Sequence, residues 1–211
     1  MGFERVNIRP AVEYFLDIVF DISDPEFESD DNAVLAVSNP RHENRIEILV
    51  EWLRHYSVWQ GFPTPARNLI AGNILNYADN ERHMSSALDR KLLLGEFSRL
   101  KSLIAKDAPI TRSGKPRNVI SLTSKALWLC YPLEVPIYDS YAAHALAVIK
   151  RLVGFASATG LHEYESYISA WFALYGEIEP MLEPAKLKGY QYKIRVMDRF
   201  LWHLGQPHFN E

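Results

Sequence analysis

Apolar residues along the chain recur at three- and four-residue spacing, and no stretch alternates apolar and polar positions as a half-buried strand would. The pattern predicts an all-α protein. A first helix follows Pro10, where AVEYFLDIVFDI places Val12, Phe15, Leu16, Val19 and Phe20 on one face, with the proline near a tolerated first-turn position. The acidic piece SDPEFESDDNA reads as a loop, and VLAVSNP is too short to assign. NRIEILVEWLRHYSVW repeats Ile46, Leu49, Val50, Leu53 and Tyr56 at helical spacing and stops at Gly61. PTPARNLIAGNILNYAD is a further helix opened by proline, and residues 85 to 104, with Leu88, Leu92, Leu93, Phe97, Leu100 and Leu103, form the longest predicted one. KDAPITRSGKPRN, with two prolines, one glycine and four bases against one acid, is the main break. Two short helices over 122 to 130 and 140 to 153 follow, separated by YPLEVPIYD. Residues 163 to 178 and 190 to 204 complete the set. With 211 residues the chain suits a single domain over 1–211, or two helical lobes, 1–105 and 119–211, joined by the basic loop 106–118.

Charge is unevenly spread under a net of -3. Between Leu16 and Asp31 lie seven acids and no lysine or arginine, whereas from Arg82 to Lys125 ten bases face three acids, a local net of +7. The acidic segment 17–31 suits a basic protein partner, and the basic run is either a solvated face or a nucleic-acid surface. The single cysteine, Cys130, excludes an internal disulfide framework and fits a reducing cytoplasm. The first ten residues do not read as a secretory leader, and no apolar run approaches the roughly 18 residues of a membrane span.

Several familiar sites are missing. HExxH, paired CxxC and a GxGxxG after a strand do not occur, and the seven histidines form no close ligand pair. We therefore expect neither a metal nor an organic cofactor. Ser113-Gly114-Lys115 lacks the upstream glycine of a phosphate loop and precedes a proline, so it belongs to the basic loop with Arg112 and Arg117.

One segment carries the strongest chemical signal: SLTSKALWLCYPLEVPIYDSYAAHAL, residues 121 to 146, whose only charged side chains are Lys125, Glu134 and Asp139. If Leu122 begins a helix, Ser121 is its N-cap, and Thr123, Ser124 and Lys125 lie in a first turn whose free amides attract phosphate. Apolar neighbours would lower the lysine pKa from about 10.4, which turns an amine into a nucleophile near neutrality. Asp139 precedes a second helix start. Read singly, Asp139 is an ordinary N-cap and Lys125 a snorkelling or ion-paired lysine. Read together, the segment resembles the core of the helix-hairpin-helix DNA glycosylase superfamily, particularly its 8-oxoguanine glycosylase-like members. There a lysine on the second hairpin helix precedes an aspartate at the next helix start.

The resemblance implies a glycosylase-like helical fold acting on DNA that contains a damaged or modified base. Lys125 would attack the sugar C1′, and Asp139 would assist deprotonation and stabilise the sugar cation. A Schiff base would then permit strand cleavage. Arg112, Lys115, Arg117, Ser121, Thr123 and Ser124 would hold the DNA, and Trp128, Tyr138, Tyr141 and Trp202 are candidates for the pocket of a flipped base. Two departures stand out: NVISLTSK lacks the hairpin glycine, and Asp139 follows Lys125 by fourteen positions, a shorter interval than in the best-known members. The rival reading is a non-catalytic helical nucleic-acid-binding or interaction protein of the same fold.

Overall fold

A computed structural model describes residues 8–21, 25–82, 88–153, 161, 163–183 and 186–207. Among these the protein is all-α, with no strand. Helix α1 (Arg9–Tyr14) runs into a widened π turn (Phe15–Val19). Then come α2 (Pro25–Ser38), α3 (Arg45–His55), α4 (Thr64–Asn76) with a second π turn (Tyr77–Glu81), and α5 (Arg90–Asp107). Helices α6 (Ile120–Cys130), α7 (Ser140–Val153), α8 (Tyr164–Ile178) with a 3₁₀ turn (Glu179–Met181), and α9 (Lys193–Leu204) complete the order. No described helix is long and apolar enough to cross a membrane.

The chain forms two compact units: residues 23–135, and a second made of 1–22 together with 136–211. The two-lobe alternative to a single domain had its boundary at the basic loop. That loop lies inside the first unit, because its ends are held by α5 and α6, which pack on each other.

In the unit 23–135 the main correction to the sequence reading is α2. The acidic piece assigned to a loop is helical, because Phe27, Asp30, Ala33 and Val37 recur at helical spacing and all four are buried. Proline at its first position fixes φ without costing an amide bond, and acids suit a helix start. Arg45 holds the other end of α2. Its guanidinium donates to the carbonyls of Ala36 (2.6 Å) and Val37 (3.1 Å) and forks onto the Asp79 carboxylate at 2.7 and 2.8 Å. Helix α5 starts where Asp89 accepts a capping bond from the Leu92 amide at 2.8 Å, and it is the longest described helix; residues 85–87 of the predicted one lie outside the described residues. Helix α6 is buried at every residue except Ser121, its polar Thr123, Ser124 and Lys125 included, and it packs on α2 and α5.

In the other unit α7 packs along α9, and α1 with its π turn completes the core. The Phe15 ring meets Phe200 edge-on at 5.5 Å, and Phe20 packs 6.2 Å from Tyr190. Helix α9 begins at Lys193 rather than Tyr190, after a turn in which Lys188 and Gly189 take positive φ. At its far end Gly205 lies so close to α7 that an added Cβ would fall 2.0 Å from the Tyr141 carbonyl oxygen.

Candidate active site

Helix α6 opens at Ile120, two residues before the predicted start, and Val119 occupies the cap position with no side-chain bond. Ser121 is therefore not an N-cap, and Lys125 stands in the second turn of the helix. One turn apart, the two side chains meet: Lys125 Nζ donates to Ser121 Oγ at 2.8 Å. The lysine is only 2% exposed. Its ammonium lies 5.6 Å from the centre of the Tyr56 ring, close enough for a cation–π attraction.

Around it stands a cluster that no local motif announces. Tyr56 packs 4.5 Å from Trp52, and Trp52 stacks on Trp128 at 5.6 Å with the rings within 5° of parallel. The buried Asp30 carboxylate accepts from Trp52 Nε1 at 2.8 Å and from the Tyr56 hydroxyl at 3.3 Å. A buried amine, three rings and a buried carboxylate thus share the core of one unit. Trp128 is a core residue here, fully buried, and it does not offer a stacking face to a base as expected. Thr123 and Ser124 are also fully buried, so neither hydroxyl reaches a phosphate. Ser124 Oγ turns back to the Ser121 carbonyl at 3.0 Å, and Thr123 Oγ1 has no hydrogen-bond partner among the described residues. Cys130, at the end of α6, has its thiol pushed up to about 12 by burial, which leaves it protonated and inert. Glu134 ties its own unit together by accepting from the Leu88 amide at 2.6 Å.

Asp139 belongs to the other unit, where it is half-buried. Its Oδ1 accepts from the Tyr141 amide at 2.9 Å and its carbonyl from the Ala143 amide at 2.8 Å, so it caps α7 as an isolated aspartate would. The approach to it is firmly held. The Tyr164 hydroxyl donates to the Pro136 carbonyl (2.8 Å), the Tyr167 hydroxyl to the Ile137 carbonyl (2.9 Å), and the Ile137 amide to Asp198 Oδ2 (2.9 Å). Burial raises both tyrosine hydroxyls well above their ordinary range and the Asp198 charge adds to it, so both remain donors.

Of the remaining aromatics, Tyr138 is half-buried with its ring edge-on to Tyr167 at 5.1 Å. Tyr141 is 41% exposed, 6.4 Å from Trp202 at nearly a right angle, and the Arg199 guanidinium lies 4.9 Å over the Trp202 ring. Tyr141, Trp202 and Arg199 therefore form an aromatic and cationic ledge on the unit that carries Asp139. In the basic loop, Arg112 and Lys115 are exposed on a tight turn that Thr111 closes with both its backbone amide and its hydroxyl on the Lys115 carbonyl, each at 2.9 Å. Arg117 is engaged within the protein. It donates to the carbonyls of Gln60 (2.8 Å) and Gly61 (3.4 Å) and stacks 4.9 Å over Phe62.

Of the acids between positions 17 and 31, Asp17, Asp21 and Asp31 are exposed and Asp30 is withdrawn into the core; the side chains of Asp24, Glu26 and Glu28 lie outside the described residues. Among the described residues no group of three or more His, Cys, Asp or Glu side chains is placed to hold a metal ion. No protein-family model matches the chain, and neither a curated protein nor a solved structure matches it.

Proposed function

We propose that the protein is a DNA glycosylase of helix-hairpin-helix type that removes a damaged or modified base, with Lys125 as nucleophile and Asp139 as the assisting carboxylate. The observation that carries this reading is the Lys125 amine itself, the one charged side chain of the buried helix α6. A buried ammonium costs free energy that an apolar side chain would not, so its retention in a core position points to a use beyond packing. The exposed bases of the loop, Arg112 and Lys115, and the ledge of Tyr141, Trp202 and Arg199 supply the cationic and stacking surfaces that DNA binding requires.

In the proposed reaction Lys125 Nζ, having lost a proton, bonds to C1′ as the N-glycosidic bond breaks. The bonding pair leaves with the base, which takes up a proton. Ring opening gives a Schiff base, and water returns the amine. Asp139 stabilises the positive charge that develops on the sugar.

One observation favours the rival, non-catalytic reading: Lys125 is almost wholly enclosed and already bonded to Ser121, as a structural lysine would be. Borohydride trapping on duplex oligonucleotides carrying a single lesion, 8-oxoguanine first, separates the two. Covalent capture is expected with the unsubstituted protein and none with Lys125→Ala, while DNA binding persists because phosphate contacts lie elsewhere. Asp139→Asn, which keeps most of the capping ability, should fold and bind yet lose most turnover. Full base release by a well-folded variant lacking both groups ends the catalytic reading.

A further inference from the structure

Building on that reading of Asp139, we propose that Asp198, Tyr164 and Tyr167 are positioning residues: a buried polar frame that fixes the chain before α7 and thereby sets where the Asp139 carboxylate stands. The argument begins with the segment 136–138, which lies outside any helix. Backbone groups in such a segment ordinarily bond to water or to other backbone. Here both polar groups of Ile137 are taken by side chains, its amide by Asp198 from α9 and its carbonyl by Tyr167 from α8, and the preceding Pro136 carbonyl is taken by Tyr164. All three side chains are buried.

The frame is itself locked. The second carboxylate oxygen of Asp198 accepts from Trp171 Nε1 at 2.8 Å, which fixes the rotamer, and the Tyr138 ring rests on Tyr167. Only Tyr138 then separates the gripped residue from Asp139. The field of the Asp198 carboxylate reaches Tyr164 and Tyr167, and that of Asp139 reaches Tyr167 and Tyr138, so the two acids flank one ring system.

A core needing only stability would fill position 198 with an apolar side chain, since a buried charge gains little over a well-packed hydrophobe. What the polar arrangement adds is directional. Three hydrogen bonds define the path of the backbone into the helix start, and a carboxylate misplaced by about 1 Å costs on the order of 100-fold in rate.

The test is a double-mutant cycle in base-release kinetics on duplex DNA with a single 8-oxoguanine, at a temperature where circular dichroism shows every variant folded. Tyr167→Phe removes one oxygen and keeps the ring. Asp198→Asn keeps the volume and removes one acceptor. Each is expected to lower kcat about 10- to 100-fold with KM nearly unchanged. Tyr167→Phe should cause no further loss when added to Asp139→Asn, because it acts only through that carboxylate. Wild-type kcat in both folded single variants overturns the frame and leaves the role of Asp139 standing, as does full multiplication of the Tyr167→Phe and Asp139→Asn losses. Full turnover by Asp139→Asn, or no base release by the unsubstituted protein, overturns the catalytic reading and the frame with it. If Asp198→Asn does not fold, Tyr167→Phe alone decides.

Discussion

Gly205→Ala is the most revealing single change in the unit that carries Asp139. The new methyl would lie 2.0 Å from the Tyr141 carbonyl oxygen, 2.5 Å from its carbon and 3.0 Å from its Cα. These are backbone atoms in the first turn of α7, so no side chain can rotate away, and separation to even a tight contact demands a shift of about 1 Å between the end of α9 and the start of α7. Overpacking of this kind costs roughly 1–3 kcal/mol, a fall in Tm of roughly 2–12 °C for a chain of this size. Tyr141 donates its amide to Asp139, so the displaced turn takes that carboxylate with it, and turnover should drop more than stability alone explains. Gly95→Ala is the control. Gly95 lies exposed in α5 with nothing within 4 Å of the added carbon, and the change should stabilise by about 0.5–1 kcal/mol through helix propensity. The assay is thermal unfolding of both variants followed by base release. Equal Tm for the two would refute the steric argument.

In the basic loop, charge reversal of Arg112 and Lys115 should weaken binding to DNA of any sequence and flatten the log-log salt dependence by about 0.9 per lost phosphate contact; an unchanged slope removes the loop from the binding surface. Arg117→Ala should instead loosen the loop from Gln60 and Phe62, read as faster amide exchange around Gly61. His203 has its pKa lowered first by burial and then by the Arg199 charge. An imidazole harder to protonate in the folded state leaves stability untouched above its ordinary value of about 6.5 and lowers it as pH falls from there towards the folded value. An NMR titration of the His203 ring should therefore show a midpoint below 6.5, moving upward in Arg199→Gln.

Helical periodicity was legible in the sequence almost throughout because it reports burial of one face, and Lys125 stood out for the same reason, as a charge inside an apolar run. Three acids escaped notice although they obey that pattern. Asp30 lies in register with Phe27, Ala33 and Val37, Glu96 beside Leu93, Phe97 and Leu100, and Asp198 among Ile194, Met197 and Leu201. Each is buried and held by aromatic donors: Asp30 by Trp52 and Tyr56, Glu96 by the hydroxyls of Tyr77 and Tyr131, Asp198 by Trp171. An acid on an apolar stripe is thus the readable sign. Its partners are not readable, because Trp52 and Asp30, or Trp171 and Asp198, meet only after two helices have packed. Acid crowding likewise disguised α2, whose charges masked a buried face that holds Phe27, Asp30, Ala33, Ala36 and Val37 among the described residues. The division into units was hidden for a related reason: composition marks a loop, whereas a unit is defined by which distant segments share a core.

That division has a consequence for how the protein is made. Residues 23–135 are contiguous and leave the ribosome with every helix they need. Phe15 and Phe20, synthesised earlier, pack with Phe200 and Tyr190, which are synthesised after that unit. At roughly 5–20 residues per second, translation of residues 136–211 takes on the order of 4–15 s. For that interval the first helix is a nascent amphipathic segment without its core, exposed to chaperones and to premature association while a finished neighbour follows it out of the tunnel. The order of synthesis therefore delays the burial of α1 until α9 has been made.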